Sequence, residues 1–153
     1  MQYRKSTSDD CIAIHRLISE MEQTDLPYQP FSKIYQRQLA DERYYCLLCE
    51  DNEQIIGVLN LRFEEQLHHC ALIAEILEFA VASSYRRQGI GKQMLAKAVE
   101  LAQIFDCTQL EVACNQLRTD THRFYEREGL HNFHFKFSRS FLNNASSKNM
   151  IGQ

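Results

Sequence analysis

The stretch Glu78–Met94, "EFAVASSYRRQGIGKQM", constrains the fold more than any other. An apolar run of strand character passes through two arginines, a glutamine and two glycines one residue apart, then into a helical pattern. At such a junction the first helical N–H groups lack intrahelical partners, and the helix dipole adds partial positive charge. Gly89 and Gly91 let the backbone approach a bulky anion, while Arg86, Arg87 and Lys92 surround it with charge. The expected occupant is a phosphate or pyrophosphate. A P-loop fails because Lys92 is followed by Gln93 and Arg86 stands at the first glycine position. A dinucleotide-binding loop fails because Met94 replaces the third glycine and the loop follows antiparallel strands. What remains is R-x-x-G-x-G, Arg86–Gly91.

The 153 residues suit one domain with a single core, expected over residues 1–142. The tail from Asn143, "NNASSKNMIGQ", is small and polar and is expected to be mobile. Gln2–Lys5 reads as a strand, and Ser8 or Asp9 caps a helix with Ile12, Ile14, Leu17, Ile18 and Met21 on its apolar face. Two prolines in "DLPYQPF" break that helix, and a second runs from about Ser32 to Leu39. Tyr44–Glu50 and Gln54–Phe63 form a hairpin across Asp51 and Asn52, with a third strand over about Leu72–Val81. Ile90, Met94, Leu95, Ala98, Leu101, Ala102 and Phe105 recur at helical spacing. A strand in "QLEVAC" follows, then a helix from about Asp120 stopped by Gly129. Alternation of Phe133, Phe135 and Phe137 with polar residues predicts a last strand. The class is α/β, a mixed, mostly antiparallel central sheet flanked by helices.

A formal net charge of -3 gives no global basic field, so nucleic acid is not an expected partner. The amino terminus is polar and no apolar run approaches the roughly 20 residues that span a bilayer, so a soluble, cytoplasmic protein without a membrane partner is expected. Cys46 and Cys49 form a CxxC, but within a strand they point to opposite faces. All six cysteines read as buried thiols, and no metal site is expected, although a metal or redox role for this pair is the competing reading.

The loop resembles the coenzyme A signature of the GCN5-related N-acetyltransferases (GNAT), Arg or Gln, x, x, Gly, x, Gly or Ala between a central strand and a helix. "HRFYEREGL" resembles the family's second signature, with Leu130 where phenylalanine is usual. The resemblance implies that the strands ending near Val81 and Cys114 splay and admit acetyl-CoA as acyl donor. Its pantetheine would pair with Phe79, Ala80 and Val81, and its pyrophosphate would rest on Arg86, Arg87, Gln88, Gly89, Ile90, Gly91 and Lys92. Asn115 resembles a further coenzyme contact, or is simply a turn residue.

Acetyl transfer to an amine needs a base, since a free primary ammonium with a pKa of about 10 is protonated at neutral pH. Glu75 and Glu78 both resemble base positions used within the family, and an unbroken strand would turn them to opposite sides. A backbone N–H near Val81 would meet the oxyanion if the strand bulges there. Tyr125 resembles the general acid to the coenzyme sulfur and also a coenzyme contact; packing on its helix face is the plainer alternative.

Much of the chain is also similar to the bacterial aminoalkylphosphonate N-acetyltransferases, on Glu111, Asn115, Arg118, Asp120, His122, Arg123, Phe124, Tyr125 and His134. This implies direct transfer to the primary amine of a small acceptor bearing a phosphonate. Tyr28, His68, His69, Arg118 and His122 are the candidate acceptor-binding residues. Aminoglycosides, polyamines, amino sugars or a protein amine are alternative acceptors, and a noncatalytic acyl-CoA-binding module is the alternative from another class. A homodimer through the last strand is a further expectation from the resemblance.

Overall fold

The computed structural model describes residues 1–142; the tail from Asn143 lies outside the described residues. The chain divides into two compact units, Met1–Val112 and Ala113–Gln153, and each is described by itself.

The first unit contains β1 (Gln2–Lys5), α1 (Cys11–Glu22), α2 (Tyr28–Leu39), β2 (Tyr44–Asp51), β3 (Gln54–Gln66), β4 (Ala71–Val81), α3 (Ile90–Ile104) and β5 (Gln109–Val112). The strands form one sheet in the order β1-β2-β3-β4-β5, antiparallel except for the parallel β4–β5 pair. This is the expected mixed α/β architecture.

One sheet face packs on α1 and α2 through Ile14, Leu17, Ile18, Tyr35, Cys46, Leu48, Val58 and Ala80. The other face meets α3, where Phe63 and Phe105 lie 4.7 Å apart. A Cβ on Gly57 would stand 2.6 Å from the buried Met94 sulfur, so α3 sits closer to β3 than a larger residue would allow. Cys46 lies in the α1/α2 cluster while Cys49 lies under Gly57, so the CxxC pair is divided between the two faces. Burial raises the Cys46 thiol to about 12, which keeps it protonated.

Two boundaries differ from expectation. Ile12 is exposed, because α1 begins at Cys11 and Cys11, Ile14, Leu17 and Ile18 form the buried stripe; Ile12 falls between its members. α2 begins at Tyr28, not Ser32, because Pro30 falls in the first turn, where a missing N–H breaks no helical bond. Tyr28 therefore opens a helix.

The second unit contains α4 (Thr119–Arg127), which ends as expected at Gly129 with φ 91. The Gly129 N–H donates to Glu126 and the Leu130 N–H to Tyr125, closing the last turn. The expected strand over Phe133–Phe137 does not form, and all three phenylalanines are exposed. A lone strand leaves its backbone groups unpaired, and among its described residues this unit has no other strand to receive them. Among the described residues no helix is long and apolar enough to cross a membrane.

Candidate active site

Strand β4 has one closed half and one open half. Its parallel pairing with β5 runs from Ile73↔Gln109 to Ile76↔Val112 and stops, while pairing with β3 continues to Val81↔Gly57. Among the described residues Leu77–Val81 thus has β3 as its one neighbour strand, in keeping with the expected splay. Ala82 donates its N–H to the Ile56 carbonyl at 2.8 Å. Because antiparallel pairs alternate, Ala80 and Glu78 also turn their backbone groups toward β3, and Phe79 and Val81 turn theirs to the open edge. In keeping with this, the Val81 carbonyl receives the Arg86 Nε at 3.1 Å. Ala80 turns its backbone groups to β3, and its side chain is buried in the α1/α2 core.

The strand bulges at Leu77 and not at Val81. Register passes from Asn60↔Glu78 to Leu61↔Ile76, leaving Leu77 as the extra residue. That single insertion reverses the alternation. Glu75 pairs with Arg62 and Glu78 with Asn60, two β3 residues on one face, so both glutamates face the α1/α2 side. The expectation that they diverge holds for an unbroken strand and is corrected by the bulge.

Their surroundings differ. Glu75 lies in the closed half opposite Glu111 and accepts the Arg62 guanidinium at 2.7 Å; taking up a proton there would break this ion pair. Glu78 lies beyond the last β5 pair and accepts the Asn60 amide at 2.8 Å. Burial raises its carboxyl above the ordinary range; the Asn60 hydrogen bond opposes this, and the Glu22 carboxylate adds to it. A carboxylate with raised affinity for protons, beside an open strand edge, suits a general base.

After β4, a short turn at Ser83–Tyr85 leads to Arg86–Gly89 and the start of α3. Glu20 of α1 accepts the Ser83 N–H at 2.9 Å and stands 3.9 Å from Arg86, fixing the approach to the loop. Those Ser83 contacts hold the Glu20 carboxyl below its ordinary range. Gln88 donates to the Ser84 carbonyl at 3.2 Å. Gly89 is the residue before the helix, with φ 81, and Arg87 also has positive φ. Ile90 is buried, so only its backbone N–H can serve an anion, alongside those of Gly91 and Lys92. Arg87 and Lys92 are exposed around this N-terminus. The donor set fits a pyrophosphate.

Open space surrounds a Cβ at Gly89, so the backbone alone demands glycine. Gly89→Ala is expected to cost about 1–2 kcal/mol from the left-handed conformation. Thermal unfolding should show this loss, and the acetyl-CoA KM should rise with little change in kcat; an unaltered KM would separate the loop from the coenzyme.

His68 and His69 occupy the Leu67–Cys70 turn between β3 and β4, with ring centroids 4.3 Å apart. Val81 is at the other end of the hairpin, and seven residues of strand separate Ala71 from Glu78, roughly 23 Å. Within one chain the histidines therefore do not join Glu78. Tyr28 packs edge-on against His15 of α1 at 5.2 Å.

In the second unit, Asn115 makes a turn: its Oδ1 accepts the Leu117 N–H at 2.9 Å and its carbonyl accepts the Arg118 N–H at 3.0 Å. The His122 Nε2 lies 2.7 Å from that same carbonyl, which makes His122 a clamp on the turn. Arg118 precedes α4, and Tyr125 stands on it beside Phe124 at 5.3 Å. Burial raises the Tyr125 phenol to about 12, the nearby Cys114 adding to this and Arg118 opposing it. It stays protonated throughout the neutral range and is suited to donate a proton.

Asn60 and its partner Gln38 are not predicted from the sequence as site residues. The available signal was a lone amide within the apolar run "IIGVLNLRF".

Residues 11–130 match the Acetyltransferase (GNAT) family. Among curated proteins, the chain is 34% identical over 139 residues to the aminoalkylphosphonate N-acetyltransferase of Salmonella typhimurium, covering 91% of this chain and 90% of that one. A transcriptional regulator from Bacillus halodurans has the same fold with a TM-score of 0.84 at 22% identity, covering 92% and 99% of the two chains. An aminoglycoside 6'-N-acetyltransferase from Acinetobacter haemolyticus does so with a TM-score of 0.77 at 15% identity, over 92% and 99%. The splayed strand, the glycine-started helix and the matched residues lead to one conclusion: the chain belongs to the GNAT family of acetyltransferases.

Proposed function

We propose that this acyltransferase moves the acetyl group of acetyl-CoA to the primary amine of an aminoalkylphosphonate. The extent of the 34% identity to the Salmonella enzyme, 91% of this chain and 90% of that one, carries the choice of acceptor. The coenzyme's phosphates rest on the N-terminal groups of α3, with Arg87 and Lys92 beside them. Glu78 takes the ammonium proton, the freed amine attacks the thioester carbonyl, and the Val81 N–H, on the open edge, stabilises the oxyanion. Tyr125 returns a proton to the departing thiolate. Arg118 supplies the cation for the phosphonate.

Carboxylates at Glu22, Glu75, Glu78 and Glu111 favour the cationic amine end of the acceptor, and are the one observation that also suits a polyamine or aminoglycoside. Free thiol release from acetyl-CoA separates the readings. The panel is aminomethylphosphonate, 1-aminoethylphosphonate, glucosamine 6-phosphate, spermidine, kanamycin and a lysine-rich peptide. Selective turnover of the two aminophosphonates is expected; preference for spermidine or kanamycin would overturn the acceptor while leaving the coenzyme site intact. Absence of turnover with acetyl-CoA still bound would favour a binding module. The homodimer expected from the family resemblance is tested by sedimentation analysis.

A further inference from the structure

We propose that Asn60, anchored by Gln38 of α2, is the positioning residue that holds Glu78 ready to receive the amine proton. The inference rests on the reading of Glu78 as the base.

Asn60 is a buried amide in the apolar stretch Ile55–Leu61 of β3, with 7% of its surface exposed. An amide in such a place needs hydrogen-bond partners, and a lone one costs stability unless they are supplied. Its Nδ2 supplies two bonds at once, to the Glu78 Oε2 at 2.8 Å and to the Gln38 Oε1 at 3.0 Å. The chain Gln38–Asn60–Glu78 thus ties the carboxylate to a helix rather than to its own strand alone. Asn60 also lies opposite Glu78 at the last register before the Leu77 bulge. The bulge brings Glu78 to this face, and the amide fixes one of its oxygens, leaving the other to receive a proton.

Other groups face Glu78 as well. Glu22 at the end of α1 acts on it electrostatically, the Cys46 thiol on β2 is itself raised by Glu78, and Arg62, Glu75 and Glu111 form the next row of the same face. Of these, Glu22 raises the carboxyl and the Asn60 amide lowers it. Loss of the amide therefore has a defined sign: the acid limb of kcat/KM should move to higher pH.

The experiment compares Asn60→Leu, Asn60→Ser, Gln38→Leu, Glu78→Gln and the Asn60→Leu/Glu78→Gln double variant in full-length protein. Thiol release is measured against pH, and circular dichroism checks folding. Asn60→Leu is expected to lower kcat at least tenfold, a part of the roughly 10²-fold that an ångström of misplacement costs. The acetyl-CoA KM should be unchanged and the acid limb shifted upward. Gln38→Leu, on the half-buried side of α2, should give a smaller change in the same direction and covers the case in which Asn60→Leu does not fold. Asn60→Ser, which keeps a donor, should restore part of the rate. In the double variant the Asn60 effect should vanish, because its target is gone. If Glu78→Gln abolishes the acid limb while Asn60→Leu and Gln38→Leu leave both limb and kcat as in the parent, the positioning role is wrong and the base is right. If Glu78→Gln changes nothing, the base reading itself fails.

Discussion

Glu78→Gln is expected to lower kcat by about 10²–10⁴-fold, the usual contribution of a general base, with the acetyl-CoA KM unchanged. Glutamine keeps the oxygen that accepts the Asn60 amide, so the fold around it should survive. Two further signs follow from the raised carboxyl. In the parent enzyme kcat/KM should fall as pH drops through a value above the ordinary carboxylate range, and Glu78→Gln should remove that limb. A group whose folded pKa is raised contributes stability that is present at pH below its unfolded pKa and lost as pH rises through the folded one. Glu78→Gln should therefore raise Tm at neutral pH, and the gain should disappear in acid. A parallel Glu75→Gln should act mainly on the Arg62 ion pair and leave the pH profile in place. The reverse pattern would move the base to Glu75.

Tyr125→Phe should lower kcat by about 10²-fold, as loss of a general acid does, while acetyl-CoA still binds. The phenol is raised to about 12 by burial, so its deprotonation should not set the alkaline limb of the profile at any pH below 10. Phenylalanine retains the ring packed beside Phe124 and leaves the backbone cap at Gly129 untouched. Folding should be close to that of the parent, so the lost rate reports chemistry. Loss of acetyl-CoA binding together with kcat would reduce Tyr125 to a packing residue. A fully active variant would leave the thiolate to solvent.

Much of the candidate coenzyme loop was legible in the chain. R-x-x-G-x-G at Arg86–Gly91 specifies a strand, a tight turn and a helix N-terminus through local rules alone, and the αL residue at Gly89 follows from them. Gly129 after "FYERE" stops α4 by the same logic. Opposite faces for Cys46 and Cys49 follow from period 2 in an uninterrupted part of β2.

The acceptor half was less legible, for reasons visible in particular residues. His68 and His69 carry suitable chemistry, but strand length places them at the far turn. Phe133, Phe135 and Phe137 alternate as a strand should, yet a strand also needs a partner's backbone, and periodicity carries no information about that.

The sequence by itself determined the order of elements through α4, the family and the glycine turn before α3, because each is written in short local patterns. Only the tertiary structure set the two glutamates apart. The Leu77 bulge leaves no mark in "ALIAEILEFAV", a run with apolar residues on both faces, and it lies just past Ile76, the last β4 residue paired with β5. One extra residue there turns Glu78 to the side of Glu75, next to an amide held by a helix from elsewhere in the chain.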